Sequence, residues 1–270
     1  MTDKKKALLN KERYTFEDLC AVMAILRAPG GCPWDMEQTH ASIRQNFIDE
    51  TYEAVEAIDL DDKTLLCEEL GDVLMQVVFH AQIEEEQNGF TMEDVTTGVV
   101  QKLIYRHPHV FADTVADTSE EVLVNWDKLK AKEKHRDTVT ETLESVPKPL
   151  PALMRAEKVG KKAAKVGFDF ATAEDAAEKI TEETAELLAA DEDSRMEELG
   201  DLLFAVVNTA RKYGISAEEA LTRATDKFIR RFAKVEAGVL QDGKRMEALT
   251  LTELDAYWDA VKASKNGENA

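Results

Sequence analysis

Apolar positions recur along this chain at intervals of three and four. Leu19, Val22, Met23 and Leu26 fall at i, i+3, i+4 and i+7, the spacing that lines one face of an α-helix. Thr15 precedes them, with Asp18 three residues further on, a pairing that satisfies free N–H groups at both the cap and the first turn. The same period predicts helices over 39–59, 63–88, 92–105 and 120–134, and again over 152–166, 173–190, 195–213, 217–239 and 251–263. Gly89 followed by Thr91 marks a stop and a new start, and Gly167 and Gly214 mark further stops. Ser216 with Glu219 predicts another capping box. No segment alternates apolar and polar positions in the manner of a strand, so the pattern predicts an all-α protein.

One stretch breaks the period. "RDTVTETLESVPKPLP", 136–151, carries three of the six prolines, which restrict the backbone and end helices. It is read as a Pro-containing linker between an N-terminal domain, 1–135, and a C-terminal domain, 152–270.

The two sides of that linker repeat each other. "DETYEAVEAI" (49–58) matches "EETAELLAAD" (182–191), and "EELGDVLMQVV" (68–78) matches "EELGDLLFAVV" (197–207). "KLIYRH" (102–107) matches "KFIRRF" (227–232), and Trp126 in "NWDKLK" matches Trp258 in "YWDAVK". The offset stays between 125 and 133 residues and changes only between motifs, so one helical unit occurs twice with different loop lengths.

Within each unit the acids are patterned. Glu183 and Glu186 are three apart and share a helix face, as do Glu198 and Asp201 on the next helix. A link of a few residues, 191–194, lets the two helices pack antiparallel, so that four carboxylates converge. Glu50, Glu53, Glu69 and Asp72 repeat the set upstream. A solvated acidic face is the ordinary reading of one such pair. Its ordered recurrence beside the apolar runs Val73, Leu74, Val77, Val78 and Leu202, Leu203, Val206, Val207 favours convergence. Such a cluster needs cations, and all-oxygen donors suit Mg²⁺ or Mn²⁺. Gly71 and Gly200 stand inside helices directly before the last acid, where close backbone approach or simple retention after duplication accounts for them. Lys102 with Arg106, and Lys227 with Arg231, share helix faces at i, i+4 and can hold phosphate oxygens or act as surface charge pairs. Trp126 and Trp258 can stack on a base or dock helices.

The 270 residues carry a formal charge of −20, which disfavours nucleic acid and anionic membrane as partners. Cys20, Cys32 and Cys67 form no CxxC pair and are odd in number, which fits a reducing cytoplasm. The opening "MTDKKKALLNKERYTF" is basic but lacks an apolar core of signal-peptide length, and there is no apolar run long enough for a membrane span. His107 and His109 in "HPHVF" are read as a turn rather than a zinc site, and Cys32 in "CPWD" has no general base beside it. Di-iron bundles use Glu-x-x-His, whereas the fourth position here is Glu or Asp. An acidic helical scaffold that binds ions or partner proteins without turnover is the rival reading.

With these motifs in place the chain resembles the MazG family of nucleoside triphosphate pyrophosphohydrolases over nearly its whole length. "GGCPWDMEQTH" (30–40), "DETYEAVEAI", "EELGDVLMQVVFHAQ" and "RHPHVF" look like a first MazG domain; "LPALMRAEKVGKKAAKVGFDF" (150–170), "EETAE", "EELGDLLFAVVN" and "KFIRRF" look like a second. The resemblance implies four-helix cores completed by dimerisation into a homodimer. It also implies Mg²⁺-dependent hydrolysis of NTPs and dNTPs at the α–β phosphoanhydride. It assigns metal binding to Glu183, Glu186, Glu198 and Asp201, contact with the triphosphate to Lys227 and Arg231, and a place near the nucleotide to Trp258. Glu182 completes EExxE as the residue that orients or deprotonates water, and Arg195 is the nearby basic residue expected to approach phosphate. Asp49 replaces the corresponding Glu in the first copy, so the second domain is expected to be the principal catalyst, and Thr225 stands where similar sequences often have Asn.

Overall fold

The computed structural model describes residues 3–112, 118–133 and 138–263; among them there are fourteen α-helices, one short 3-10 turn at Met246–Ala248 and no strand. They fall into two compact units, Met1–Glu133 and Lys134–Ala270. Unit 1 contains α1 (Asp3–Leu9), α2 (Phe16–Arg27), α3 (Pro33–Glu37), α4 (Arg44–Asp59), α5 (Lys63–Glu86), α6 (Met92–Arg106), α7 (Pro108–Phe111) and α8 (Ser119–Glu133). Unit 2 contains α9 (Val139–Glu144), α10 (Ala152–Ala164), α11 (Ala173–Ala189), α12 (Arg195–Lys212), α13 (Ala217–Gln241) and α14 (Leu251–Ala263).

Local chemistry sets the boundaries. Thr15 and Asp18 form the predicted capping box of α2, and Thr91/Asp94, Thr138/Glu141 and Thr172/Asp175 repeat it at α6, α9 and α11. Ser216 accepts from Glu219 N–H, but the reciprocal half of its predicted box is missing because the Glu219 carboxylate pairs with Arg223 one turn on. Gly167 and Gly214 take positive φ at their helix ends. At the end of α5 the left-handed residue is Asn88, with Gly89 following it.

Two differences from the sequence pattern have physical causes. Residues 39–43 precede α4 instead of opening it, because Thr39 and Ser42 exchange hydrogen bonds that close a turn. The short α9 lies within 136–151, where a linker is predicted; its cap satisfies it, and Pro147, Pro149 and Pro151 follow it. Lys134, the predicted end of α8, and residues 136 and 137 of the linker lie outside the described residues.

In each unit an antiparallel helix pair dominates the packing: α4 with α5 in unit 1, and α11 with α12 in unit 2. Asp62 caps α5 through Thr64 and Leu65 N–H, and Asp191 accepts from both Ser194 N–H and its hydroxyl at 2.9 Å, tightening the two hairpin links. α2 lies on α5, giving a core of Met23, Ile43, Val78, Phe79 and Ile83. α10 lies on α12, and there Gly160 gives a close approach: a Cβ would stand 2.8 Å from Asn208 Oδ1, so that side chain would have to shift. Gly71 and Gly200, by contrast, have no atom within 4 Å of a built Cβ, so close approach within the chain does not explain them.

Candidate active site

The hairpins bring carboxylates together. In unit 2 one oxygen each of Glu183, Glu186 and Glu198 lie within 4.8 Å of one another; in unit 1 Glu50, Glu69 and Asp72 do so. Each cluster thus gathers three of the four acids singled out by spacing. Asp201 and Glu53 are exposed on the same hairpins and fall outside these groups. The excluded position differs: Asp201 corresponds to Asp72, which joins its cluster, and Glu53 to Glu186, which joins its own.

Both clusters contain a buried acid with an oxygen that has no partner. Glu69 is 7% exposed and Glu183 5%, and Oε2 of each is buried without a hydrogen bond. A buried carboxylate oxygen without a donor is costly, which is the signature expected where a cation completes the site. Burial and then the surrounding acids push the carboxyls of Glu50, Glu69 and Glu186 above the usual range. Pure oxygen donors converging from two helices fit a hard divalent ion.

One cation already present was not singled out from sequence. Lys179, one turn before Glu183, places its Nζ 2.7 Å from Glu182 and 2.8 Å from Glu183. Its ammonium is held well above the usual lysine range by these hydrogen bonds. The i, i+3 and i, i+4 spacing in "KITEE" was the available signal. Unit 1 has Asn46 at the corresponding place. There buried Gln76 reaches toward Glu50, with Nε2 3.5 Å from Oε1, while its Oε1 has no partner.

The remaining predicted residues are distributed as follows. Glu182 is exposed, and Arg195 is exposed on the first turn of α12. Lys227 is exposed, while Arg231 is half-buried with Nε lacking a partner. Trp258 packs against Phe228, ring centroids 5.1 Å apart, with Lys262 over its face. In unit 1 Lys102 is exposed, but Arg106 is buried with its guanidinium 5.1 Å from the Trp126 ring, which also meets His107 edge-on.

Unit 1 also holds a chain of contacts that spacing did not reveal. His40 Nδ1 lies 2.7 Å from His80 Nδ1, and His40 Nε2 lies 2.8 Å from Glu84, fastening the turn before α4 to α5. Burial, and then His40, lower the His80 pKa. His80 and Glu84 are i, i+4, but their partner is forty residues away.

Comparison with known proteins bears on this geometry. The model of the MazG nucleotide pyrophosphohydrolase domain matches residues 38–111 and 171–235, which contain both clusters. The nucleoside triphosphate pyrophosphohydrolase/pyrophosphatase MazG of Thermotoga maritima is 44% identical over 248 residues, 92% of this chain and 95% of that protein. A nucleoside triphosphate pyrophosphohydrolase of Escherichia coli K12 is 43% identical over 251 residues, 90% of this chain and 95% of that one. The uncharacterized protein YabN of Bacillus subtilis is 45% identical over 267 residues, 97% of this chain but 54% of its own length.

Proposed function

The chain belongs to the MazG family of nucleotide pyrophosphohydrolases and is a hydrolase of phosphoanhydrides, and from that premise we propose that its substrates are NTPs and dNTPs. Cleavage falls at the α–β bond, and unit 2 is the main catalyst. The observation that carries this reading is the convergence of Glu183, Glu186 and Glu198 around a buried, unpartnered carboxylate oxygen.

These three acids, with Asp201 at their edge, would hold Mg²⁺, for which Mn²⁺ is the natural substitute; Glu50, Glu53, Glu69 and Asp72 would do the same in unit 1. A bound divalent ion supplies charge neutralisation at phosphate oxygens and acidifies bound water. The chain's own groups do the rest. A water oxygen attacks the α-phosphorus, the bond from that phosphorus to the bridging oxygen breaks, and pyrophosphate leaves with the electron pair. Glu182 takes the proton from the water. Lys179 supports that role, because its ammonium, 2.7 Å from Glu182, holds the side chain in place. Lys227 and the Arg231 guanidinium face the leaving pyrophosphate. Arg195, with the N-terminus of α12 behind it, meets a phosphate oxygen. Trp258, already packed on Phe228, offers the nucleotide an edge.

The weaker role of unit 1 follows from its substitutions. Asp49 is one methylene shorter than Glu182, Asn46 carries no charge where Lys179 does, and Arg106 is occupied with Trp126. A homodimer fits the exposed apolar stripe Leu199, Leu203 and Val206 on α12, which nothing in unit 2 covers among the described residues. The cytoplasm is the proposed location. No described helix is long and apolar enough to cross a membrane, and the net charge supports neither nucleic acid nor membrane as partner.

The test is product analysis by anion exchange for the ribo- and deoxyribonucleoside triphosphates with Mg²⁺, beside Glu183→Ala/Glu186→Ala. Monophosphate and pyrophosphate from the wild type, lost in the variant, is the expected outcome. Diphosphate and phosphate would refute the bond assignment, and activity retained by the variant would move catalysis to unit 1.

A further inference from the structure

Where α10 lies on α12, unit 2 contains a second feature that the metal cluster does not use. A cavity of about 450 Å³ opens there, lined by Leu143 of α9, Val159 and Ala163 of α10, and the aromatic rings of Phe168, Phe170 and Phe204. Its size is that of a small-molecule site, and its lining is apolar apart from three polar residues. These are Asp169, Arg211 and Asn208, and they form one network. Asp169 binds the Arg211 guanidinium through both carboxylate oxygens and also pairs with Lys212, while Arg211 Nε donates to Asn208 Oδ1 at 3.3 Å.

That network fixes the orientation of an amide. With Oδ1 committed to Arg211, the Asn208 –NH₂ group is the end left over, and it has no hydrogen-bond partner among the described residues. Asn208 is 9% exposed and lines the cavity. An amide donor on the wall of an apolar cavity, its carbonyl end already held by Arg211, can orient a ligand that supplies an acceptor. Phe168 is 83% exposed despite its size, yet its turn is anchored by Asp169 and by Lys212, which donates to Phe170 O at 2.7 Å. An aromatic ring held outward on a pinned turn is a stacking surface waiting for a planar partner.

Position relates this cavity to the carboxylates. Asp201, Phe204, Asn208 and Arg211 stand at i, i+3, i+7 and i+10, one stripe along α12. Asn208 is therefore about 10 Å along the helix axis from Asp201, a distance that a triphosphate and its ribose span. Unit 1 provides the internal comparison. The residue corresponding to Asn208 is Phe79, which is buried in the core with the Arg27 guanidinium 5.2 Å from its ring centroid. The same place in unit 1 is thus filled with side chains and offers no amide donor.

We propose that the cavity takes the base of the nucleotide, stacked on Phe168 and read by the Asn208 amide through an acceptor atom on the base's rim, so that base discrimination resides in unit 2 alone. This rests on the triphosphate reading above and adds the base site to it. A base with a carbonyl on that rim accepts from the –NH₂ group; one presenting an amino group there leaves two donors facing each other.

Two measurements separate the inference from the reading it rests on. The first is the side-chain amide signal of Asn208 in ¹⁵N-asparagine-labelled full-length protein, assigned by its loss in Asn208→Ala. It is followed while α,β-methylene analogues of ATP, GTP, CTP and UTP are added with Mg²⁺. The second is steady-state hydrolysis by Phe168→Ala, a change at an exposed position that leaves the fold in place, and by Asn208→Asp. The expected results are an Asn208 signal that moves with at least one analogue, and NTP KM values raised about tenfold or more in Phe168→Ala, the loss attached to one base–aromatic stack. Competitive inhibition by inorganic tripolyphosphate, which has no base, is expected to be unchanged in the same variant. Asn208→Asp should shift relative kcat/KM toward bases that present an amino group. An Asn208 signal unmoved by all four analogues, or NTP KM values unaltered in Phe168→Ala, overturns the cavity assignment. A wild type that hydrolyses no triphosphate yet shifts Asn208 with an analogue overturns the hydrolytic reading and leaves base binding standing.

Discussion

Lys179 is the residue on which the chemistry of unit 2 turns in the absence of a metal. It bridges Glu182 and Glu183 and partly neutralises a group of acids that otherwise repel one another. Lys179→Met should therefore lower the melting temperature of metal-free protein. With saturating Mg²⁺ the drop should shrink, because the ion supplies the missing charge; differential scanning fluorimetry with and without metal checks both arms. Glu183→Gln keeps the shape but removes the charge, and should reduce turnover at least about 100-fold, the upper end of what outer-shell partners alone cost. The raised carboxyls fix a pH dependence. Glu50, Glu69 and Glu186 hold protons more tightly in the folded chain than in the unfolded one. Their contribution to metal-free stability is therefore present below the ordinary glutamate pKa and is lost as pH rises through their raised values. Urea titrations from pH 4.5 upward should show that decline, and Mg²⁺ should flatten it. Asp169 has the opposite sign: Arg211 lowers its pKa to about 2, so a stabilisation of at most about 2 kcal/mol is lost as pH falls from near 4 toward that value.

Helix ends and crossings decide whether those residues meet. Thr172 opens α11, which carries Lys179, Glu182, Glu183 and Glu186, by accepting from Asp175 N–H at 3.1 Å while its own N–H donates to Asp175 at 2.9 Å. Thr172→Ala should cost about 1 kcal/mol of stability by chemical denaturation, the usual value of such a cap. Gly160 is a sharper case. α10 crosses α12 so closely there that alanine would push Asn208 away from Arg211. Gly160→Ala should destabilise by about 1–3 kcal/mol through overpacking and also perturb the Asn208 amide signal. The sequence pattern placed the long helices and most of their caps, because periodicity and capping are local properties. It singled out Gly71 and Gly200, which are unconstrained, and passed over Gly160, because a glycine's need depends on what crosses it.

At the scale of the whole molecule the two units share a plan and differ in chemistry. Both pair an acidic hairpin with a preceding covering helix, yet unit 1 fills with Phe79 and Arg27 the place where unit 2 has Asn208 and an apolar cavity. Leu199, Leu203 and Val206 remain exposed at i, i+4 and i+7 on α12. Sedimentation should give the mass of a dimer, and Leu203→Lys should shift it toward monomer. The all-α class, the duplication, the two acidic hairpins and most candidate ligands were legible in the sequence, because helical period and residue spacing carry that information directly. Tertiary structure alone decided which three of each four acids converge, that Glu69 and Glu183 are the buried members, and that Arg106 is tied to Trp126. It also decided that His40 meets His80 and that Asn208 faces a cavity with its donor free. Each of these depends on side-chain direction and on contacts between residues far apart in the chain, and neither is encoded in the local spacing of residues.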